Sequence, residues 1–149
     1  MIVWCNKPEL IIVSDIAPIT VVDKPIPSDS DEIRAFKYKF PYLNLSRVLW
    51  DINYLGTQYC FPIEKGFRWN VTNCLGLQHY PKLLDASMVH DATCNNHELV
   101  GQDRQLSSML FREIGIASGV WKPFMYGAYH AVDNYQKVWG KDLRGEGWK

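Results

Sequence analysis

The fold is best indicated by one stretch of sequence, Val48-Leu49-Trp50-Asp51-Ile52-Asn53-Tyr54. Large apolar side chains occupy every second position of this stretch, and a period of two predicts a β-strand with one face in the core. The next residues, Gly56-Thr57-Gln58, predict a turn, and Tyr59-Cys60-Phe61 predicts a second strand after it. Two strands so close in sequence favour antiparallel pairing.

Other strands are predicted on the N-terminal side of this pair. The β-branched runs at 11–13 and 19–22 are separated by Pro18, which is typical of edge or terminal strands. Phe36, Tyr38 and Phe40 alternate with lysines, so a further strand is expected there. Residues 24–32 (KPIPSDSDE) predict a loop. Residues 1–80 are therefore expected to form a β-rich, mostly antiparallel part.

The apolar period changes to a helical one from Pro81 onward. Helices are predicted from Pro81 to about Asn95, over 102–114 and over 121–139, the last with a broad apolar stripe. Residues 140–149 (GKDLRGEGWK) read as a polar tail. The predicted fold class is α+β: one domain of 149 residues, with an N-terminal β-rich part (1–80) packed against a bundle of about three helices (81–139).

The composition limits the possible function. The chain has 16 basic and 16 acidic residues, and this balance gives no electrostatic signal for nucleic-acid binding. We expect no membrane span, because no segment reaches the roughly 18 apolar residues that a bilayer requires. We also expect no signal peptide, since Pro8 and Glu9 interrupt the N-terminal apolar run. The four cysteines are therefore interpreted as reduced thiols.

Metal-binding residue types are concentrated in the run HDATCNNH at 90–97. On a helix, His90, Cys94 and His97 share one face, and imidazole and thiolate are ligands that zinc accepts. However, the three span about 10 Å along a helix axis, while zinc–ligand bonds are only about 2.0–2.3 Å. Zinc binding would therefore require a chelate of only two of these residues, or a break in the helix at Asn95. The alternative is a buried structural His90 that bonds to Tyr126 or Tyr129; on balance we expect no cofactor, with zinc as the alternative.

Acid–base catalysis is the other chemistry that this run could support. His90 and Asp91 are titratable neighbours and are the candidate catalytic pair. Adjacent helical residues point about 100° apart, so Asp91 is not expected to orient His90 directly. Cys94 is expected to be a buried, unreactive thiol.

The order of several short motifs resembles a known family. Phe61-Pro62-Ile63-Glu64-Lys65-Gly66-Phe67 precedes Val89-His90-Asp91, and an Arg-bearing helix (104–111) and a Met125-Tyr126-x-Ala128 helix follow. Over residues 59–140 this order resembles the domain-of-unknown-function family 1353 of tailed bacteriophages and prophages. That family has a Pro-x-Gly-Phe turn, a Thr-Asp pair, a Val-His-Asp helix, a Ser-Arg-x-x-Ala-Asp helix and a Met-Tyr-x-Ala helix.

The resemblance implies a family site that is only partly retained here. The motif positions kept by this chain are Gly66, Phe67, His90, Asp91, Arg104, Met125 and Tyr126. Two family carboxylates are replaced, by Asn70 and by Ser108, so only Asp91 remains beside the histidine. The loss of these two negative charges weakens cation binding at the site and reduces the shift in the pKa of the histidine. An ion pair between Asp91 and Arg104 is one expected structural contact.

We therefore expect a bacteriophage virion component of the tail, neck or baseplate. It would be made in the host cytoplasm and bind other virion proteins in a symmetric assembly. Exposed strand edges within 1–59 would contact neighbours, and the 24–32 loop and 140–149 tail would order on assembly. The alternative is a metal-dependent hydrolase of a cell-wall or other polymer that uses His90 and Asp91. A regulatory binding module is also left open.

Overall fold

A computed structural model describes residues 2–71 and 80–149, except for the side chains of Trp4 and Asn6. Cys74 lies outside these residues. A four-stranded antiparallel sheet has the order β1-β2-β5-β6 and a three-stranded antiparallel sheet has the order β3-β4-β7. The strands are β1 (Ile2–Lys7), β2 (Leu10–Ser14), β3 (Thr20–Val22), β4 (Tyr42–Asn44), β5 (Val48–Tyr54), β6 (Thr57–Ile63) and β7 (Arg68–Trp69).

Strand β5 lies at the centre of the larger sheet and confirms the predicted alternation. Val48, Trp50 and Ile52 are fully buried, and β5 pairs with β2 on one side and β6 on the other. The turn between β5 and β6 consists of Leu55 and Gly56, both with positive φ, at 50° and 80°. Such a two-residue turn matches the twist of a hairpin. It begins one residue earlier than predicted, so Thr57 already belongs to β6.

The strand predicted around Phe36, Tyr38 and Phe40 is wrong, because this segment forms helix α1 (Asp31–Lys39). Ser30 caps the helix, with its hydroxyl accepting the Ile33 N–H at 3.3 Å. Acidic residues occupy the first turn and lysines the last, which complements the helix dipole. The aromatic spacing also fits a helix, where i and i+4 are neighbours, and the Phe36 and Phe40 rings lie 5.5 Å apart.

The second half is helical, as predicted. A 3-10 turn (Pro81–Leu83) leads into α2 (Leu84–Asn95), and a second 3-10 turn (His97–Val100) precedes α3 (Arg104–Ala117) and α4 (Lys122–Trp139). Asp103 caps α3 by accepting the Leu106 N–H at 2.9 Å. Helix α3 packs against both α2 and α4. A Cβ on Gly115 would lie 2.5 Å from the Met125 Cε, so glycine permits the close approach of α3 and α4. Among the described helices, none is long and apolar enough to cross a membrane.

Residues 140–149 are packed on the helices and do not form the free polar tail that was expected. Lys141 and Gly147 form an antiparallel bridge, and Asp142 between them is buried. The Leu143 N–H donates to the Asn95 carbonyl at 3.1 Å, at the end of α2. The segment therefore makes specific contacts with the rest of its own chain. Strand β1 was also not predicted. It ends at Lys7, directly before Pro8 and Glu9.

Candidate functional site

Helix α2 places His90 in the core, where its side chain is only 4% exposed. The ring Nε2 lies 3.6 Å from the Cys94 Sγ, one helical turn later. The Phe111 ring of α3 lies 5.4 Å away at a tilt of 50°. The expected bond from His90 to Tyr126 or Tyr129 is replaced by these contacts, because both tyrosines flank the Arg112 guanidinium at 4.7 Å. His90 is thus a packed core residue, and the polar group beside its ring is the Cys94 thiol.

The three candidate metal ligands are not brought to one point. Helix α2 ends at Asn95, as the two asparagines there predicted, and His97 begins the next 3-10 turn. The His97 ring stacks on the Trp148 ring, with centroids 3.6 Å apart, while His90 and Cys94 face α3. In the described parts of the chain, no three His, Cys, Asp or Glu side chains are grouped so that they could hold a metal ion. Of the proposed zinc ligands, only His90 and Cys94 are neighbours.

Asp91 points away from His90, toward β7. Its Oδ1 is 3.9 Å from the His90 Nδ1, which is too long for a hydrogen bond. Its Oδ2 instead accepts the Asn70 N–H at 3.3 Å, just after β7. A quarter of the side chain is exposed, yet burial of the carboxyl raises the pKa of Asp91 to about 7, against the opposing Asn70 bond.

The protonation states of this pair are therefore the reverse of a usual His–Asp couple. Burial lowers the pKa of His90 to about 4, although Asp133 acts in the opposite direction. At neutral pH His90 is thus neutral, and Asp91 is close to half protonated. Burial also raises the pKa of the Cys94 thiol, which makes the thiolate nucleophile inaccessible near neutral pH.

The predicted ion pair between Asp91 and Arg104 is wrong, because Arg104 pairs with Asp133 of α4. The Arg104 Nε lies 2.9 Å from Oδ1 and Nη2 lies 3.4 Å from Oδ2, a two-pronged contact. The Ser108 Oγ lies 3.1 Å from the same Oδ1. Asp133 thus supplies a carboxylate beside Ser108. Sequence reasoning missed it; the available signal was a single carboxylate four residues after Tyr129 in the apolar stripe of α4.

The remaining motif residues serve packing. Gly66 has a φ of 94°, a left-handed conformation that favours glycine, and its N–H donates to the Asn44 carbonyl at 2.8 Å. The Phe67 ring stacks on Trp69 at 5.9 Å. Met125 is fully buried, and Tyr126 is partly exposed. These positions support the turn before β7 and the α3–α4 contact.

A second polar contact joins α2 and α3 next to His90. The Thr93 and Ser107 hydroxyl oxygens are 2.6 Å apart and fully buried, and Thr93 also donates to the His90 carbonyl at 2.9 Å. Buried polar groups paired in this manner fix the relative position of two helices. The arrangement around His90 is therefore a set of mutually paired groups that connects α2, α3 and α4. No family model, curated protein or solved structure matches the chain.

Proposed function

We propose that this protein is a structural component of a bacteriophage virion, in the tail, neck or baseplate region, and that it acts through protein–protein contacts. The single observation that supports this role best is a concentration of exposed apolar side chains. Of the eighteen large apolar side chains that are exposed among the described residues, nine lie within positions 16–45. We call this segment the apolar face; its exposed members are Ile16, Ile19, Val21, Val22, Ile26, Ile33, Phe36, Tyr38 and Leu45.

Single exposed apolar residues are normal on a monomer, but clusters of them mark interaction sites. Within the apolar face, α1 buries none of its residues, and Ile33, Phe36 and Tyr38 are all exposed. A helix whose apolar side chains stay about half exposed or more gains little from hydrophobic burial in its own chain. A neighbouring subunit would bury the apolar surface that α1 leaves exposed.

Ion pairs connect the elements of the apolar face, since no residue of α1 is fully buried. The Lys37 Nζ of α1 lies 2.9 Å from Asp29 and 3.9 Å from Asp23. Arg68 of β7 pairs with the same Asp23, and its guanidinium lies 5.5 Å from the Phe36 ring centroid. These contacts bring α1 beside the end of β3, so the two elements with exposed apolar side chains are neighbours.

The edge of the smaller sheet adds a second means of contact. Strand β3 is the outer strand in the order β3-β4-β7, and both Val21 and Val22 are exposed. An outer strand has backbone groups available to pair with a strand from another chain. Partners would be other virion proteins in a symmetric assembly, consistent with the resemblance to phage proteins, and the location would be the virion.

The hydrolase alternative has less support. Its favourable observation is the carboxyl of Asp91, which is partly exposed and has a pKa raised to about 7. Against it, the ring of His90 is buried between Cys94 and Phe111 and lies beyond hydrogen-bond distance of Asp91. A catalytic base must reach its substrate.

Two experiments test the assembly role. Mass spectrometry of purified virions of the encoding phage should detect this chain in a fixed ratio to known structural proteins; its absence would overturn the proposal. A Phe36→Lys variant should fold normally, because the ring is half exposed, but should fail to enter particles. Leu55→Lys, in the exposed β5–β6 turn, is the matched control and should assemble normally. Asp91→Asn should also assemble normally. The hydrolase alternative predicts in addition that this variant loses hydrolytic activity.

A further inference from the structure

Residues 140–149 close over a buried histidine, and we propose that this segment is a latch, hinged at Gly140, that opens when His97 gains a proton. This inference does not depend on the proposed virion role. It arises from three contacts between the latch and the helices and from the surroundings of the imidazole ring.

The latch has its own internal structure. The Asp142 N–H donates to the Glu146 carbonyl at 2.8 Å. The Asp142 carboxylate in turn accepts the Arg144 N–H at 2.8 Å and the Glu146 N–H at 3.0 Å, and it pairs with the Arg144 guanidinium at 3.0 Å. Because its polar groups bond mainly to one another, the segment can move as one unit.

Only a small number of contacts hold the latch on the helices. The Leu143 N–H bonds to the Asn95 carbonyl, and the Trp148 Nε1 donates to the Gln136 Oε1 at 3.1 Å. The Trp148 ring covers the His97 ring in a near-parallel stack, with 12° between the planes. These contacts are local, so opening the latch leaves the α2–α3–α4 core in place.

Gly140 has the properties of a hinge that closes tightly. It follows α4 directly, and its N–H bonds to the Gln136 carbonyl at 3.0 Å. A Cβ at this position would lie 2.9 Å from the Trp148 Nε1 and closer still to the Gln136 carbonyl and side-chain oxygens. Since the Gln136 carbonyl is a backbone atom at the end of α4, a side chain at 140 would force the chain to shift where the latch begins.

His97 is the group on which the closed latch depends. It is fully buried. Among the described residues, neither of its ring nitrogens has a hydrogen-bond partner of ordinary geometry. A neutral ring tolerates such a site, but an imidazolium there would lose its hydration, with the backbone of Gly147 and Cys94 as poorly aligned acceptors.

The groups that face the ring act in both directions. Burial lowers the pKa of His97 below its ordinary 6.5, while Asp142 and the nearby backbone of Gly147 and Cys94 act to raise it and Arg144 acts to lower it. Glu98 and Glu146 raise the pKa of Arg144. Because burial is the largest influence, the closed latch favours neutral His97. Its stability is fully present above the ordinary pKa and is lost as the pH falls below it.

Hydrogen exchange on the full chain tests the latch. After correction for intrinsic rates, amide protection within 141–147 should fall between about pH 7.5 and about pH 5, because protonation of His97 disfavours the closed latch. Protection in α3 should remain well above that of 141–147 at both pH values. His97→Phe keeps a flat ring for Trp148 but does not titrate, so its latch should stay protected at both pH values. Gly140→Ala should leave the latch unprotected at both.

The controls distinguish His97 from the other acid-sensitive groups. His90, whose pKa burial lowers to about 4, also loses its stabilising contribution as the pH falls through this range, and it is retained in His97→Phe. Equal loss of protection in the wild type and in His97→Phe would assign the opening to His90 and overturn the proposal. Unchanged wild-type protection would overturn it as well. If His97→Phe does not fold, His97→Gln provides the same non-titrating comparison.

Discussion

Asp133 of α4 and Arg104 of α3 form a two-pronged ion pair, with 2.9 Å between Nε and Oδ1. The two side chains are 15% and 23% exposed, so the pair is largely shielded from water. Removal of one partner leaves the other charge poorly solvated. This contact joins the second and third helices of the bundle at the point where Ser108 also reaches the carboxylate.

Asp133→Asn should therefore lower the free energy of unfolding by about 1–3 kcal/mol, the cost of an unsatisfied partly buried group. Chemical denaturation measures this, and a double-mutant cycle with Arg104→Met should show a coupling energy above about 0.5 kcal/mol. Glu64→Gln is the matched control, since its pair with Arg47 at 3.2 Å is more than half exposed on both sides. Equal effects of the two carboxylate substitutions would contradict the structural role of Asp133.

His90 and Asp91 should make opposite contributions to the pH dependence of stability. The pKa of Asp91 is raised to about 7, so the folded state binds a proton that the unfolded state releases above about pH 4. This contribution is lost as the pH rises toward 7. The pKa of His90 is lowered to about 4, so its contribution is lost as the pH falls below 6.5. Between about pH 4 and 6.5 the two slopes cancel.

Single substitutions should reveal the hidden slopes. Relative to the wild type, the unfolding free energy of Asp91→Asn should rise with pH across this window by up to about 1.4 kcal/mol per unit, whereas that of His90→Gln should fall with pH at a similar relative rate. Urea denaturation at a series of pH values measures both. Parallel profiles for the wild type and both variants would show that neither group is perturbed by burial.

The sequence predicted those parts of the fold that depend on local periodicity. The alternation in 48–54 indicated β5, and the apolar stripe in 121–139 indicated α4, because each pattern is read from neighbouring residues. Helix α1 was missed because Phe36 and Phe40 fit a period of two and also an i, i+4 spacing. Capping by Ser30 decides between them, and the loop assigned to 24–32 had already absorbed that serine.

Contacts between residues distant in sequence were not predictable. Arg104 and Asp133 are 29 positions apart, and nothing near either residue indicates the other. The 140–149 segment has a polar, glycine-rich composition that is typical of loops, but its order depends on Trp148 meeting His97. The candidate pair His90 and Asp91 was correctly located on α2, whereas its surroundings depend on how α2 packs against α3 and β7.

Glu113 should be the most acid-sensitive link between the sheet and the helices. It is almost fully buried on α3, and its Oε1 lies 2.7 Å from the Lys7 Nζ of β1 and 2.9 Å from the Arg112 Nη2. Although burial acts to raise it, these two cations hold the pKa of Glu113 below its ordinary 4.5. The stabilisation is therefore full above pH 4.5 and is lost as the pH falls through the lowered value.

Glu113→Gln should cost about 2–4 kcal/mol near pH 7, since two cations lose their acceptor, and much less near pH 3. Thermal or urea unfolding at both pH values measures this difference. Glu98→Gln removes an exposed carboxylate at the start of the 3-10 turn and serves as the control. A loss in Glu113→Gln that is the same at both pH values would indicate a packing effect in place of an electrostatic one.

Helix α1 should unfold locally without unfolding the protein. None of its residues is fully buried, and its attachment includes the Lys37 pairs with Asp29 and Asp23 and the Asn70 amide, which donates to the Lys39 carbonyl at 3.2 Å. Lys37→Gln should therefore reduce amide protection in 33–39 by about tenfold and, because the attached helix is part of the native state, lower the global unfolding free energy by a matching value of about 1.4 kcal/mol. Hydrogen exchange and denaturation of the same sample measure the two quantities. Lys39→Gln, which alters an exposed lysine of the same helix near the Phe40 ring, is the matched control. If the amides of 33–39 were as strongly protected as those of α3 in the wild type, α1 would belong to the cooperative core, and its apolar side chains would be a less available surface for a partner.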